Sequence, residues 1–286
     1  MEPRSALPAF AVIYSPAQRC FEIVELLAAE AAGLPLTGIA RALALPKSAA
    51  HRLLLLLVER GYVHQDATTQ QYRLTFKLAT LGFRFLSGTT LPDIAQPVLD
   101  RIAQASGDLA RLAVVDGDGM RWVAKAQGAQ SGLRYDPEMG YEVALNATAV
   151  ARLWLVTLPE KEAISILERY AGRTRRARGP NAPKSMAALV ARMRETRRRA
   201  YAEAIEEGAP GVAAVAAAIR ARAEPDAPVV GTVSIAGPIS RLTPARRPML
   251  GRMCVDAARE LGTLWPVREF QRASVREEVD NDARVA

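Results

Sequence analysis

Between Ser15 and Arg60 the apolar residues return at helical spacing in three successive bursts. In "SPAQRCFEIVELLAAEAAGLP", Cys20, Ile23, Val24 and Leu27 recur every three or four positions, the signature of a helix with one buried stripe. Ser15 and Pro16 supply a cap and a first helical residue, and Gly33-Leu34-Pro35 ends the run. A short second helix, "GIARALAL", follows with Thr37 as its cap and Ile39, Ala40 and Leu43 inward. Pro46 opens a third that lasts to about Arg60, where Gly61 provides the left-handed residue that stops a helix. "YVHQ" and "QYRL" are then β-prone segments around Asp66–Gln70, a small hairpin. Three helices followed by a hairpin is the order of a winged helix-turn-helix.

The pattern changes further along. "TFKLATLGFRFLSG" predicts an apolar linker helix, and Pro92 to Ser106 another, closed by Gly107. "ARLAVVDGDGMRWVAKAQG" is strand, tight turn and strand, "GLRYDPEMGYEVAL" is extended or loop, and "NATAVARLWLVTLP" is helical to about Pro159. Helices follow at about Glu160–Ala171 and Ser185–Ala200, then two strands, "GVAAVAAAIRA" and "VVGTVSIAGPI", and a closing helix, "PARRPMLGRMCVDAARELGTLW". Strands mixed with covering helices predict an α+β second domain of a sensor type. The expected boundaries are 1–74 for the winged helix-turn-helix, 75–91 for the linker helix, 92–267 for the second domain and 268–286 for a charged tail.

The third helix divides sharply. Each residue advances about 100°, so Ala50, Leu53, Leu54 and Leu57 form one inward stripe, with Lys47, Ser48, His51 and Arg52 opposite. The start of a recognition helix is the part that reaches base edges in the major groove. Arg and His can donate to guanine, Ser adapts to either partner, and Lys suits phosphate or guanine. The hairpin offers Thr69, Gln70, Gln71 and Arg73 as a wing on the backbone or minor groove. Leu55 and Leu56 fit this poorly, since they fall outward; the linker helix or a second subunit could cover them.

Charge alters this picture less than its total implies. The net +8 is concentrated between Arg169 and Arg199, where eleven Lys or Arg face a single acid, Glu195. The remainder sums to −2, and residues 1–88 carry nine basic and six acidic side chains. The arginine-rich segment is a solvated helix face and loop, or else a phosphate-contacting or partner surface. Two distant cysteines, Cys20 and Cys254, fit a reducing interior without a disulfide or zinc framework. No apolar run approaches a membrane span, and Leu7–Tyr14 is too short for a signal peptide, which places the chain in the cytosol.

Other chemistry is weak. His51 and His64 have no Cys or carboxylate at ligand spacing, so no metal is expected. Glu206-Glu207 would point to opposite faces of a strand, which disfavours a catalytic dyad. Gly117–Gly119 is a turn with no helix after it to form a phosphate loop, and Ser234 has no nearby His to activate it. Trp122, Trp154 and Trp265 are expected as core or interface anchors, although Trp154 could face a ligand.

"LPKSAAHRLLLLLVERGYV" followed by "YRL", then "ATAVARLWL" and "EPD…VVGTVSIAGPISRLTP", resembles the IclR family of bacterial transcriptional regulators over about residues 16–265. The resemblance implies a winged helix-turn-helix, a linker helix and a GAF-like effector domain. It also implies a homodimer or dimer of dimers on a double-stranded operator, with Thr37 joining the DNA-facing residues. In the second domain it implies an effector pocket near Leu133, Met139, Asn146, Ala147, Thr148, Ala204, Ala214, Ser234 and Ala236. Here the chain departs from the family. Asn146 stands where a His is usual, Ala204 and Ile205 near positions that often carry acids, Ala214 near that of a Cys, and Ala236 in place of a second Ser. Because a buried polar group without a partner costs about 1–3 kcal/mol, a pocket stripped of donors should disfavour the smallest polar acids. An aromatic or otherwise bulky carboxylate is expected, anchored by Asn146, the Ala147 backbone and Ser234. The lost Cys also removes support for a metal role.

The leading expectation is therefore a ligand-responsive, DNA-binding regulator that uses no cofactor and is not an enzyme. The alternative is a constitutive or architectural DNA binder whose C-terminal domain only assembles subunits. An enzyme built on the α+β domain lacks the necessary residue constellations.

Overall fold

The computed structural model describes residues 15–89, 91–137, 139, 142–171 and 179–265. The short N-terminal apolar stretch, most of the first arginine cluster and the charged tail lie outside them. The described chain divides into two compact units, at Gly88/Thr89.

The first unit opens with α1 (Pro16–Ala29), capped as expected by Ser15, whose hydroxyl accepts from the Gln18 amide at 3.2 Å. Leu34–Pro35 forms a two-residue strand, β1. It is followed by α2 (Leu36–Ala42), α3 (Lys47–Glu59), β2 (Val63–Gln65) and β3 (Gln71–Leu74). The strands form an antiparallel sheet in the order β1-β3-β2. Ile23, Leu27, Ile39, Leu54, Leu57, Val63 and Tyr72 are its buried core. Thr37 does not cap α2: Pro35 holds that position without a side-chain bond, and Thr37 is the exposed second residue of the helix. Pairing of Leu34 with Tyr72 starts the turn of the chain earlier than the sequence pattern implied. Gly61 has φ 72°, the left-handed geometry that frees the chain after α3. Helix α4 (Lys77–Thr89) buries none of its own residues within the described chain.

The second unit starts with α5 (Leu91–Ser106), followed by the hairpin β4 (Leu109–Asp116) and β5 (Gly119–Gln127). Then come α6 (Ala149–Leu155), α7 (Glu160–Ala171) and α8 (Met186–Thr196). β6 (Ala202–Ile205), β7 (Val212–Arg220), β8 (Val229–Pro238) and α9 (Arg247–Leu264) complete it. The five strands form one antiparallel sheet, β5-β4-β8-β7-β6. One face carries Leu112, Val215, Ile219, Val233 and Ile235 against α5 and α9. The other carries Ala113, Ala202, Ala204 and Ala216 under α6 and α7, with Trp154 buried among them.

Three expectations change here. The "NATAV" helix begins at Ala149, because Thr148 adopts an extended cap and accepts from the Ala151 amide at 3.2 Å. Asn146 and Ala147 are thus in the turn before it. Helix α8 ends at Thr196 rather than Ala200, and α9 starts at Arg247 rather than Pro244. Glu206 and Glu207 are not strand residues: β6 ends at Ile205, and Glu206 turns the chain with φ 52°. Among the described residues of the arginine-rich segment, Arg169 pairs with Asp118, Arg194 with Glu160 and Arg199 with Glu195, each at 2.8 Å.

Candidate functional site

In the first unit, the packing of α3 determines what it shows to solvent. Ala50, Leu54 and Leu57 are buried and Leu53 is half-buried, so the helix is fixed on one side. Lys47, Ser48, His51 and Arg52 are all exposed along its first turn and a half. Two of them carry fixed positive charge, and no acid occurs in the first turn of the helix. Leu55 and Leu56 remain 50% and 43% exposed, and Phe76 of the segment before α4 reaches 88%.

The hairpin beside α3 is built by its own polar groups. Asp66 Oδ1 accepts from the amides of Thr68 at 3.0 Å and Thr69 at 2.7 Å. These bonds, with the backbone of Thr69 foremost, hold the Asp66 carboxyl below its ordinary range. Gln70, at φ 57°, donates its side-chain amide to Ala67 O at 2.8 Å and accepts from Gln65 at 2.9 Å. Its side chain therefore shapes the turn. Gln71 is half-buried opposite Pro35, while Arg73 is exposed opposite His64. A Cβ on Gly33 would come within 2.5 Å of Arg73 Cγ, so this glycine seats the arginine stem.

The second unit brings most of the other predicted residues onto one sheet face. Ala204 pairs with Ala214, and Ala214 with Ala236, forming a single row across β6, β7 and β8. The next row on that face is Ala202, Ala216, Ser234 and Arg111. Helix α6 packs across these strands, and the buried Asn146 and Ala147 and half-buried Thr148 lead into it. Leu133, by contrast, is exposed; its carbonyl is held at 2.6 Å by Arg241, which also binds the buried Asp108. Met139 is half-buried.

Three features of this face escaped the sequence reading. Ser234 Oγ and Thr232 Oγ1, two residues apart on β8, are buried and without a hydrogen-bond partner among the described residues. Arg111 sits opposite Ser234, its guanidinium 3.7 Å from the Trp122 ring centroid and 5.8 Å from that of Tyr135. Beyond the edge of the sheet, Arg152 of α6 and Glu207 form an ion pair with both side chains 2% exposed, and Arg152 also donates to Glu203 O. That pair ties the helix after the Asn146 turn to the edge strand, and it gives Glu207 a structural partner in place of a catalytic one. No cluster of His, Cys, Asp and Glu among the described residues has the form of a metal site.

The bacterial transcriptional regulator IclR C-terminal domain matches residues 83–263, and the IclR helix-turn-helix domain matches 16–67. The chain belongs to the IclR family of bacterial transcriptional regulators. Among IclR-family proteins it is 30% identical to the HTH-type transcriptional regulator BhcR of Paracoccus denitrificans over 248 residues, 85% of this chain and 84% of that protein. The transcriptional repressor IclR of Escherichia coli is 28% identical over 245 residues, 85% of this chain and 87% of that one. The fold is shared with an IclR-type regulator from Alicyclobacillus acidocaldarius (TM-score 0.73, 21% identity, 88% and 98% of the two chains). It is shared too with an IclR homologue of Microbacterium hydrocarbonoxydans complexed with 4-hydroxybenzoate (TM-score 0.68, 21% identity, 87% and 98%). No helix among the described residues is long and apolar enough to cross a membrane.

Proposed function

We propose that this IclR-family regulator binds double-stranded DNA through the polar face of α3 and that a small molecule on the sheet face of its second unit modulates the binding. The observation that carries the DNA reading is the two-sidedness of α3: leucines fix it from behind while Lys47, Ser48, His51 and Arg52 stand in solvent together. A protruding, cationic helix start of this kind fits the major groove. Thr37 at the start of α2 and Arg73 on the wing suit phosphate contacts, with Gln70 and Gln71 supporting the wing. Exposed Leu55, Leu56 and Phe76 favour a homodimer or dimer of dimers over an isolated chain. As a two-fold assembly it would span half-sites about one helical turn apart. Its role is regulatory, in line with its named relatives, and not enzymatic.

For the effector, the row of alanines favours a bulky or aromatic carboxylate, anchored by Asn146, the Ala147 backbone and Ser234. The homologue crystallised with 4-hydroxybenzoate supports that class. The competing reading, a constitutive binder with an assembly-only second unit, is disfavoured by the two buried, unmatched hydroxyls of Thr232 and Ser234.

Selection of bound sequences from a random DNA library, followed by anisotropy titrations, tests the DNA reading. Arg52→Ala should relax preference at one base position by ~1–3 kcal/mol, while Arg73→Ala should weaken all sequences alike. An unchanged preference in Arg52→Ala would remove α3 from the reading role.

A further inference from the structure

We propose that a cleft at the edge of the second unit's sheet, between α8 and β6, binds a small polyhydroxylated monoanion at a site separate from the effector face. The cleft has a volume of about 390 Å³, and the buried Arg152–Glu207 pair forms its floor. Arg192, Glu195 and Arg199 line it from α8 and the turn that follows, and Glu203 and Ile205 line it from β6. Asn146, Ala147 and Ser234, the anchors proposed for the effector, are not among its walls.

The backbone decides what kind of partner fits. An edge strand ordinarily shows a row of open backbone groups that invites another strand. Here those carbonyls are occupied: Glu203 O accepts from Arg152, and Ile205 O accepts from Asn181 Nδ2 at 3.2 Å. Side chains therefore face the cleft, which suits a small molecule better than an added strand. Arg152 directs its terminal nitrogens to Glu207 and to Glu203 O, while its Nε is buried with no partner among the described residues. An acceptor oxygen reaching the floor of the cleft would relieve that unfavourable state.

Charge narrows the class further. Each acid of the lining already has a cation: Glu195 has Arg199 at 2.8 Å, Glu203 has Arg247 at 2.8 Å, and Glu207 has Arg152. Arg192 forms no ion pair among the described residues, so the cleft carries one positive charge in excess. One negative charge on the ligand balances it, and a carboxylate can take two parallel bonds from a guanidinium. Arg192 is exposed at the rim, so the charged end stays there and the rest of the molecule extends inward. Along that path lie arginines that donate and carboxylates that accept, and a hydroxyl is the group that answers both.

Calorimetric titration of the full chain with gluconate and with sorbitol, a neutral polyol of the same length, tests the assignment. The wild type should bind gluconate at least about tenfold more tightly than sorbitol, a ratio that one charge-assisted contact can supply. Arg192→Gln should bring the ratio close to one, and Arg192→Lys should retain most of it. Because Arg192 is exposed, ligand-free Arg192→Gln should melt with the wild type, so that a lost ratio reports the contact and not the fold. Ser234→Ala, on the effector face, should leave gluconate affinity as it is. No gluconate binding, equal wild-type affinities, or an unchanged ratio in Arg192→Gln would each overturn the proposal. So would a loss of gluconate binding in Ser234→Ala, which would put the anion on the sheet face instead.

Discussion

Replacing Glu207 by Gln isolates one charge in the interior of the second unit. Gln keeps the volume and an acceptor oxygen, but leaves the Arg152 guanidinium buried without its counter-ion. Both side chains are 2% exposed, so solvent offers little screening and no discount for exposure applies. Removing one member of a buried ion pair typically costs about 3–5 kcal/mol. Arg152 keeps its bond to Glu203 O, which places the expected loss near the lower end, ~3 kcal/mol. With a urea slope of roughly 2 kcal/mol per molar, the midpoint should fall by about 1.5 M. Tryptophan emission is a clean assay, since all three tryptophans, Trp122, Trp154 and Trp265, belong to the second unit. The double variant Arg152→Met/Glu207→Gln should recover most of the loss, because it removes the stranded charge along with its partner. A Glu207→Gln midpoint within experimental error of wild type, or a double variant no better than the single one, would refute the claim that this pair clamps α6 to the sheet edge.

Two smaller effects can be measured directly. The Asp66 carboxyl is held below its usual range by the Thr69 and Thr68 amides, so its contribution is present above the unfolded pKa and lost as pH falls through the lower folded value. Amide resonances of Thr68 and Thr69 should accordingly hold their positions through the pH where a free Asp titrates and shift only in stronger acid; a shift at the ordinary pH would show that the bonds do not form. Burial pushes the Cys254 thiol up to about 12, and it raises that of Cys20 as well. At pH 8 a thiol reagent should therefore label Cys20 slowly and Cys254 only after unfolding, and prompt reaction of both would contradict the packing of α9.

Much of the fold was written in local periodicity. The α3 stripe, the hairpin and the β4–β5 turn each depend on residues within a few positions of one another. What the pattern missed depends on distant partners or on weak local preference. β6, "AEAI", has little β propensity of its own and becomes a strand only by pairing with β7. β1 is two residues long and exists because Tyr72 and Gln71 pair with it. Thr37 had the chemistry of a cap, yet Pro35 already holds the extended conformation before α2, and the helix begins two residues sooner.

The pocket shows the same division more strongly. Resemblance led to Ala204, Ala214, Ser234 and Ala236, and strand register places them together in adjacent rows. It gave no hint of Arg111, which in sequence is one arginine among many and lies 123 positions from Ser234. Only the antiparallel pairing of β4 with β8 makes the two neighbours, and only the irregularity between Leu112 and Ala113 brings Trp122 opposite Ala113 beside them. Counting lost donors therefore described half of the site. The face that lacks the acid, the Cys and the second Ser still holds two unmatched hydroxyls, those of Thr232 and Ser234 on β8. Reading along the chain registers only the polar groups that are lost, whereas strand pairing shows which ones remain beside them.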